Sequence, residues 1–297
     1  MGTMLTLTIP ESTTTRFLIA ADDGTAPGIQ RLRDSLPAGG PARTARDLLA
    51  SPLLVVTGSR AADSPWTSRA DGLGGGTADL GALRSARHHL VVTSIATPAA
   101  QPRHAQAARL VARTLATATG GRVVDLAANQ FVTDPTEPER DRFTLGDDWL
   151  GVFVGPDHGP TLRADTAGLH RFGLPELLAR RVPYGRLLTA VSILRGLAHG
   201  ILTDHRAWLA TTPGAATWTL PATRTLQPAD ILAYWGVDRP LTGTPLPLRL
   251  TPSTSDCPEC TTALELTPPT DQPHWWHTTA APAVPASLED PHAPSHT

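Results

Sequence analysis

The segment from Gly168 to Leu202 does most to limit how this chain can fold. It opens on a compact element, Gly168-Leu-His-Arg-Phe-Gly-Leu-Pro-Glu-Leu177, and runs into the strongest helical pattern in the sequence. Gly173 permits a turn with positive φ. Pro175 fixes its own φ and biases Leu174 toward an extended conformation. This spacing lets Leu174 and Leu177 tuck beneath a sheet, with Glu176 facing outward. Pro183 suits the first turn of a helix, where its missing N–H has no intrahelical partner to lose. After it, Leu187, Leu188, Val191, Leu194, Ala198 and Ile201 fall on one stripe, with Arg186 and Arg195 off its centre. The pattern predicts a helix packed on a sheet.

A second helical pattern begins at Pro102 and runs to about Thr119. Ala107, Leu110, Val111, Thr114 and Leu115 share one face, and Gly120-Gly121 stop it as a C-cap would. Strand-like runs surround the two helices: His89–Ile95, Arg122–Ala127, Trp149–Val154 and Ala216–Leu220. From residue 88 to about 225 the order is therefore strand, helix, strand, strand, helix, strand. Right-handed crossovers would lay both helices on one face of a single antiparallel sheet. The expected class is α+β, with a ferredoxin-like (βαββαβ) middle, extra N- and C-terminal strands and a disordered C-terminal tail.

The flanks are read in the same way. Met4–Ile9, Arg16–Ala20 and Leu53–Thr57 are short strand candidates, with a helix near Gly28–Leu36. Residues 58–82 lose periodicity and hold Gly72, Gly74, Gly75 and Gly76. No helix follows these glycines directly, so they read as a flexible loop and not as a phosphate cradle. Pro228–Trp235 is a short helix with Asp230 in its first turn, and Leu246–Thr251 and Ala263–Thr267 are a closing strand pair. Pro247 assigns the first of these to an edge. Beyond Pro268 the Pro-, Ala-, Thr- and His-rich composition predicts disorder. The expected division is 1–82 (strands plus a Gly-rich loop), 83–266 (the α+β core) and 267–297 (the tail).

Charge and composition exclude several function classes. Net charge is −2 with no basic stripe, so nucleic acid is not an expected partner. Every one of the 25 basic residues is arginine. Without lysine there is neither Schiff-base chemistry nor a Walker-type phosphate loop. Arginine-only usage is the mark of a high-GC, bacterial genome. No apolar leader and no long uncharged apolar run is evident, so a soluble cytoplasmic protein without a membrane segment is expected. Two cysteines do not make a disulfide framework.

They do make a metal candidate. Cys257-Pro-Glu-Cys260 is followed, after thirteen intervening residues, by His274 and His277. Two thiolates and two imidazoles could complete a zinc tetrahedron. Only two residues lie between the histidines, whereas finger-type sites have about three to five. A loop with free thiols and solvated histidines is the competing reading, and no cofactor is otherwise expected.

Catalytic candidates are few. His170 lies inside the Gly168–Leu177 element. Asp125 lies late in an apolar strand, where a carboxylate either acts in chemistry or caps the following turn. His199 and His205 flank Asp204 late in the long helix, where a histidine also suits the helix dipole. No Gly-x-Ser-x-Gly elbow and no His-Glu-x-x-His pair occurs. Among the seven tryptophans, Trp208, Trp218 and Trp235 read as core filling. The Trp275-Trp276 pair reads as a binding contact, or as the group that docks the tail onto the domain.

The Gly168–Leu177 element resembles a group of uncharacterised bacterial domains that carry a similar G-L-x-x-F-G-L-P-E-L motif. The strand, helix and Gly-Gly-x-Val-x-Asp order over residues 89–125 is similar to the segment preceding the motif in that group. The resemblance covers about residues 85–205. Some members of the group are proposed immunity proteins beside bacterial toxins, and the group supplies no catalytic residues to carry over. The expected function is accordingly a non-enzymatic binding protein, immunity-like or regulatory, with a protein as the expected partner. A hydrolase-like enzyme using His170 and Asp125, with His199 as a third candidate, is the first alternative. A zinc-stabilised module is the second.

Overall fold

Along the chain the elements are β1 (Met4–Thr8), β2 (Thr13–Ala21), α1 (Ile29–Ser35), α2 (Gly40–Leu49), β3 (Leu54–Arg60), α3 (Thr77–Ser85), β4 (His88–Ala96), α4 (Arg103–Thr119), β5 (Arg122–Asp125) and β6 (Gln130–Phe131). They continue with β7 (Gly151–Pro156), β8 (Thr161–Ala167), β9 (Glu176–Pro183), α5 (Leu187–Thr211), β10 (Thr217–Pro221), β11 (Thr223–Leu226), α6 (Pro228–Tyr234), β12 (Leu246–Ser253) and β13 (Ala263–Thr267). The computed structural model describes residues 2–24, 27–133, 137–239, 243–254, 262–272 and 274–284. The protein is α+β, and its chain divides into two units: Pro10–Phe143, and Met1–Ile9 with Thr144–Thr297.

In the unit Pro10–Phe143, β2 is the middle of a five-stranded antiparallel sheet ordered β3-β4-β2-β5-β6. Phe17, Leu18 and Ile19 are consecutive and fully buried. An unbroken apolar run is what a strand covered on both faces requires. Helix α4 packs against β2, β4 and β5. The other cover is a cluster of Leu18, Val91, Val124 and Leu126 with Leu73, Leu83 and Trp66. Helix α4 ends where the double glycine predicts, with Gly120 at φ +64°.

The loop after β6 is fastened to α4 by a buried ion pair. The Arg109 guanidinium donates from Nε and Nη2 to Glu139 at 2.8 and 2.7 Å, and Arg113 donates to the Glu137 carbonyl. Asp141 in the same loop accepts from the Gly40 N–H at 2.9 Å, at the start of α2. One short polar segment thus holds two helices that propensity alone would leave independent.

In the second unit a six-stranded sheet is ordered β11-β12-β13-β9-β8-β7. The β13–β9 pair is parallel and the others antiparallel. Helix α5 packs across β8 and β9 and against α6, and β1 pairs with β10 in a separate ribbon. The buried face of α5 is Ala190, Ile193, Leu194, Leu197, Ala198 and Ile201, while Leu188 is exposed. The expected stripe is therefore displaced at its N-terminal end. Pro183 closes β9 instead of opening the helix, and a 3-10 turn, Tyr184–Arg186, leads into α5. Tyr184–Thr211 is, among the described residues, long and apolar enough by composition to cross a membrane. It carries Arg195, Asp204 and the buried His205, and one of its faces is packed on the sheet.

The ferredoxin-like middle is corrected by the sheets. β4 and β5 belong to the five-stranded sheet and are separated by β2, β7 belongs to the six-stranded sheet, and β10 pairs with β1. Helices α4 and α5 consequently lie in different units, and no single β layer carries both. The physical reason is partner choice: β2, from the N-terminal flank, is apolar enough to take the central place between β4 and β5. Strands β8 and β9, unread in the sequence, supply the sheet for α5. The expected 83–266 core straddles the boundary between Phe143 and Thr144. The Gly-rich 58–82 segment includes the start of α3, and within the expected tail the described residues 275–283 are helical. Residues 285–297 lie outside the described residues.

Replacing Glu139 with alanine would leave two arginines, both nearly buried, without their carboxylate. The expected destabilisation of the Pro10–Phe143 unit is about 3–5 kcal/mol by urea denaturation. A loss under about 1 kcal/mol would mean that the loop does not fasten α4.

Candidate functional site

The Gly168–Leu177 element is a polar knot built on one carboxylate. Glu176, the first residue of β9, is 1% exposed. Its Oε2 accepts from the Thr166 hydroxyl at 2.7 Å, and its Oε1 accepts from the Gly168 and His170 N–H groups at 2.9 and 3.1 Å. The His170 ring lies against the same oxygen, Nδ1 to Oε1 2.9 Å. The Thr166 hydroxyl in turn accepts from the Leu177 N–H at 2.8 Å. Glu176 therefore points inward, contrary to its expected outward orientation, because the 3-10 turn Leu169–Phe172 directs its N–H groups at it. Gly168 has φ +126°, and a Cβ there would come within 2.5 Å of the Trp149 carbonyl oxygen. Gly173 closes the turn at φ +79°, as expected from the motif. Arg171 is fully buried, donates from Nε to the Gly168 carbonyl at 3.2 Å, and stacks over Trp149 and Phe172.

Burial opposes ionisation of Glu176, but the His170 hydrogen bond and charge, with Thr166 and the backbone, outweigh it and hold the carboxyl below its ordinary 4.5. Its stabilising effect is therefore complete above pH 4.5 and is lost as pH falls through the lowered value.

The other sequence candidates have local roles. Asp125 is fully buried, and its Oδ1 accepts from the Ala127 and Ala128 N–H groups at 3.0 and 3.1 Å, capping the turn after β5. It sits in the Pro10–Phe143 unit and His170 in the other. His199 is half-buried on α5, and burial lowers its pKa, partly offset by Asp230. His205 is fully buried against Trp208 and Trp218, with ring centroids at 5.9 and 5.0 Å. Neither of its ring nitrogens has a partner among the described residues, and burial lowers its pKa to about 4. Of the zinc candidates, Cys257 and Cys260 lie outside the described residues. His277 accepts on Nδ1 from Arg186 Nε at 3.0 Å, and His274 is exposed at φ +64°. Among the described residues no three His, Cys, Asp or Glu side chains are grouped as metal ligands.

A groove of about 550 Å³ lies elsewhere in the same unit as the knot. Its floor is formed by β12, β13 and β9 and includes Arg249, Thr267, Arg180 and Arg181. Its wall is the helical segment at 274–277, with Trp275 and Trp276. Trp275 is 2% exposed and docks that segment, whereas Trp276 is half-buried at the groove. The volume is within the range of small-molecule sites, which are usually lined by apolar groups around a few placed polar ones.

The arginines reach the groove through a bulge. Residues alternate in to out along a strand. Ala179 is fully buried, and alternation would bury Arg181 again. Instead the β8–β9 register shifts between Leu162 and Ala164, and Arg181 takes φ +52°. Arg180 and Arg181 both stay on the open side, and Val182 returns to the core. The Asp157 carboxylate holds the bulge, accepting from the Arg181 N–H at 2.7 Å and lying 3.6 Å from the Arg180 guanidinium. Glu265 lies 3.7 Å from Arg180 on the other side. None of these residues was singled out in the sequence. The available signal was the pair Arg180-Arg181 set between Ala179 and Val182, where an alternating strand should place one arginine inside.

The chain matches no protein-family model, and no curated protein or solved structure is similar to it at a significant level.

Three variants test the buried groups. Glu176→Ala leaves the Thr166 hydroxyl and two backbone N–H groups without their acceptor; the expected loss is about 3–5 kcal/mol in urea, and about half that for Glu176→Gln. Equal, small losses would show that the knot does not hold β9. For His205, the unfolded chain binds a proton below pH 6.5 that the fold refuses until about pH 4. Stability from this group is thus present above 6.5 and is lost as pH falls toward 4. His205→Phe is expected to flatten the melting temperature between those values, and an unchanged acid slope would refute the assignment.

Proposed function

We propose that this is a non-enzymatic binding protein, regulatory or immunity-like in role, that takes its ligand in the groove between β12–β13–β9 and the Trp275-Trp276 segment. The carrying observation is the bulge at Arg180-Arg181, which turns two consecutive side chains toward one groove. Catalysis draws less support from the residues. His170 is engaged with Glu176, Asp125 caps a turn, and His205 is packed between indoles. A general base needs reach to a substrate proton, and a buried neutral imidazole without an opening has none. The regulatory reading is favoured over the immunity-like one because the groove has the size of a small molecule and not of a standard protein interface. The zinc-stabilised reading stands on Cys257 and Cys260 and is decided by metal analysis of purified protein. A soluble, cytoplasmic setting fits a long apolar helix that packs on a sheet.

The test is a thermal-shift screen over mixed cationic, neutral and anionic small molecules, run on the native protein, Thr267→Trp and His170→Gln. A ligand at about a hundred times its Kd adds about 2.7 kcal/mol, or roughly 5–10 °C. Shifts are expected for the native protein and for His170→Gln, lost in Thr267→Trp, with the compounds recovered unchanged. Equal shifts in Thr267→Trp, or chemical turnover that depends on His170 or Asp125, would overturn the proposal.

A further inference from the structure

We infer that the groove is a site for a small organic oxyanion, a phosphate or carboxylate joined to a flat apolar portion; this rests on the binding role proposed above. Three arginines line it, and their states differ. Arg180 is committed, lying between Asp157 and Glu265 at 3.6 and 3.7 Å. Arg181 and Arg249 have no side-chain hydrogen bond or ion pair among the described residues. Two uncommitted guanidinium groups thus border one cavity from β9 and β12, the strands on either side of β13. The planar five-donor fork of arginine suits carboxylate and phosphate oxygens, and these charge-assisted bonds strengthen away from bulk water.

The backbone at Arg181 points the same way. Among the described residues, four non-glycine residues have positive φ: Asn129, Asp148, Arg181 and His274. Asn, Asp and His are the types that tolerate this region, and Arg181 is the exception. A turn needed only for chain direction would carry glycine or asparagine there at lower cost. Keeping arginine at a strained bulge, held by a nearly buried Asp157, retains the side chain as well as the turn. The opposite wall is aromatic: Trp275 is 2% exposed and docks the segment. Half-buried Trp276 offers a face to the apolar portion of a ligand.

Calorimetric titration with five probes tests this: phenyl phosphate, benzoate, phenol, benzylamine and inorganic phosphate. Phenyl phosphate or benzoate is expected to bind at least about tenfold more tightly than phenol or benzylamine, and the stronger of the two identifies the anionic group. Inorganic phosphate should bind more weakly than phenyl phosphate, and the affinity should fall with added salt. Arg181→Asn, whose new side chain tolerates the left-handed backbone, and Arg249→Gln should each weaken the anion by about tenfold. Arg249→Lys, which keeps the charge and loses the fork, should recover part of it. Trp276 fluorescence should respond to the anions in parallel. Arg249 is exposed, so its variants carry the test if Arg181→Asn folds poorly. Phenol or benzylamine binding as tightly as the anions, with loss in Thr267→Trp, would remove the oxyanion assignment and leave the groove as a binding site. Failure of all five probes, with no ligand found in the broader screen, would remove both.

Discussion

The Glu176 carboxylate is the constraint on which the second unit depends. β9 lies between β13 and β8, and like β13 it joins a parallel to an antiparallel neighbour. Such a strand needs its start fixed, because a slip of one residue would exchange its buried and open faces. Glu176 supplies that fix. By drawing in Thr166 from β8 and the N–H groups of the intervening turn, it sets the β8–β9 register at its closed end. With Leu177, Ala179 and Val182 then directed into the core, Arg180 is directed to the open face. Asp157 sets the far end of the same strand by accepting from Arg181. Two nearly buried carboxylates therefore define β9, one by closing a turn and the other by holding a bulge.

The titratable groups divide by what surrounds them. Burial alone moves His205 down, since its ring packs against Trp208 and Trp218 and neither nitrogen has a partner among the described residues. At Glu176 burial acts in the opposite sense to the observed shift and is outweighed by its donors. The first is a group the fold keeps neutral, and the second is one it keeps charged. Neither arrangement leaves a proton at an open surface, which is what separates these groups from an acid–base pair poised for substrate. A helical segment bearing His199 and His205 with Asp204 reads in sequence as a catalytic or ligating group. Helix geometry separates them: Asp204 pairs outward with Arg224 at 2.6 Å while His205 is buried.

Local chemistry was well legible in this chain and partner choice was not. Helix α4 and its glycine stop, the positive φ at Gly173 and the acidic first turn of α6 all follow from residues next to one another in sequence. The helix α5 was legible as a helix, but its start was not, because Pro183 serves the end of a strand as well as it serves a first turn. The sheets were not legible. β4 and β5 are near in sequence and look like neighbours, yet Thr13–Ala21 separates them. Nothing in residues 88–125 encodes that, since the strand that takes the central place comes from the N-terminal flank. Glu176 read as outward because a lone carboxylate after a proline is normally solvated, and the donors that bury it come from a turn whose path periodicity does not reveal. The role of the Trp275-Trp276 pair was half legible: the composition marked an anchor, and the structure divides it into one docked ring and one at the groove.

The groove illustrates why a site can be invisible to motif reading. Arg180, Arg181 and Arg249 are separated by as many as 69 residues in sequence and have no fixed spacing that chemistry would demand. They converge because β13 pairs parallel to β9 and antiparallel to β12, which brings Thr267 opposite Arg249 and Leu266 opposite Ala179. The bulge then adds one residue to β9 without adding one to β13. A regular strand would offer a single arginine to the open face at this level, and that arginine, Arg180, is already neutralised by Glu265 and Asp157. The second arginine, Arg181, has no side-chain ion pair among the described residues, although Asp271 also lines the groove. A cation kept on a strained backbone, without a side-chain partner among the described residues, is the feature on which the proposed binding role rests.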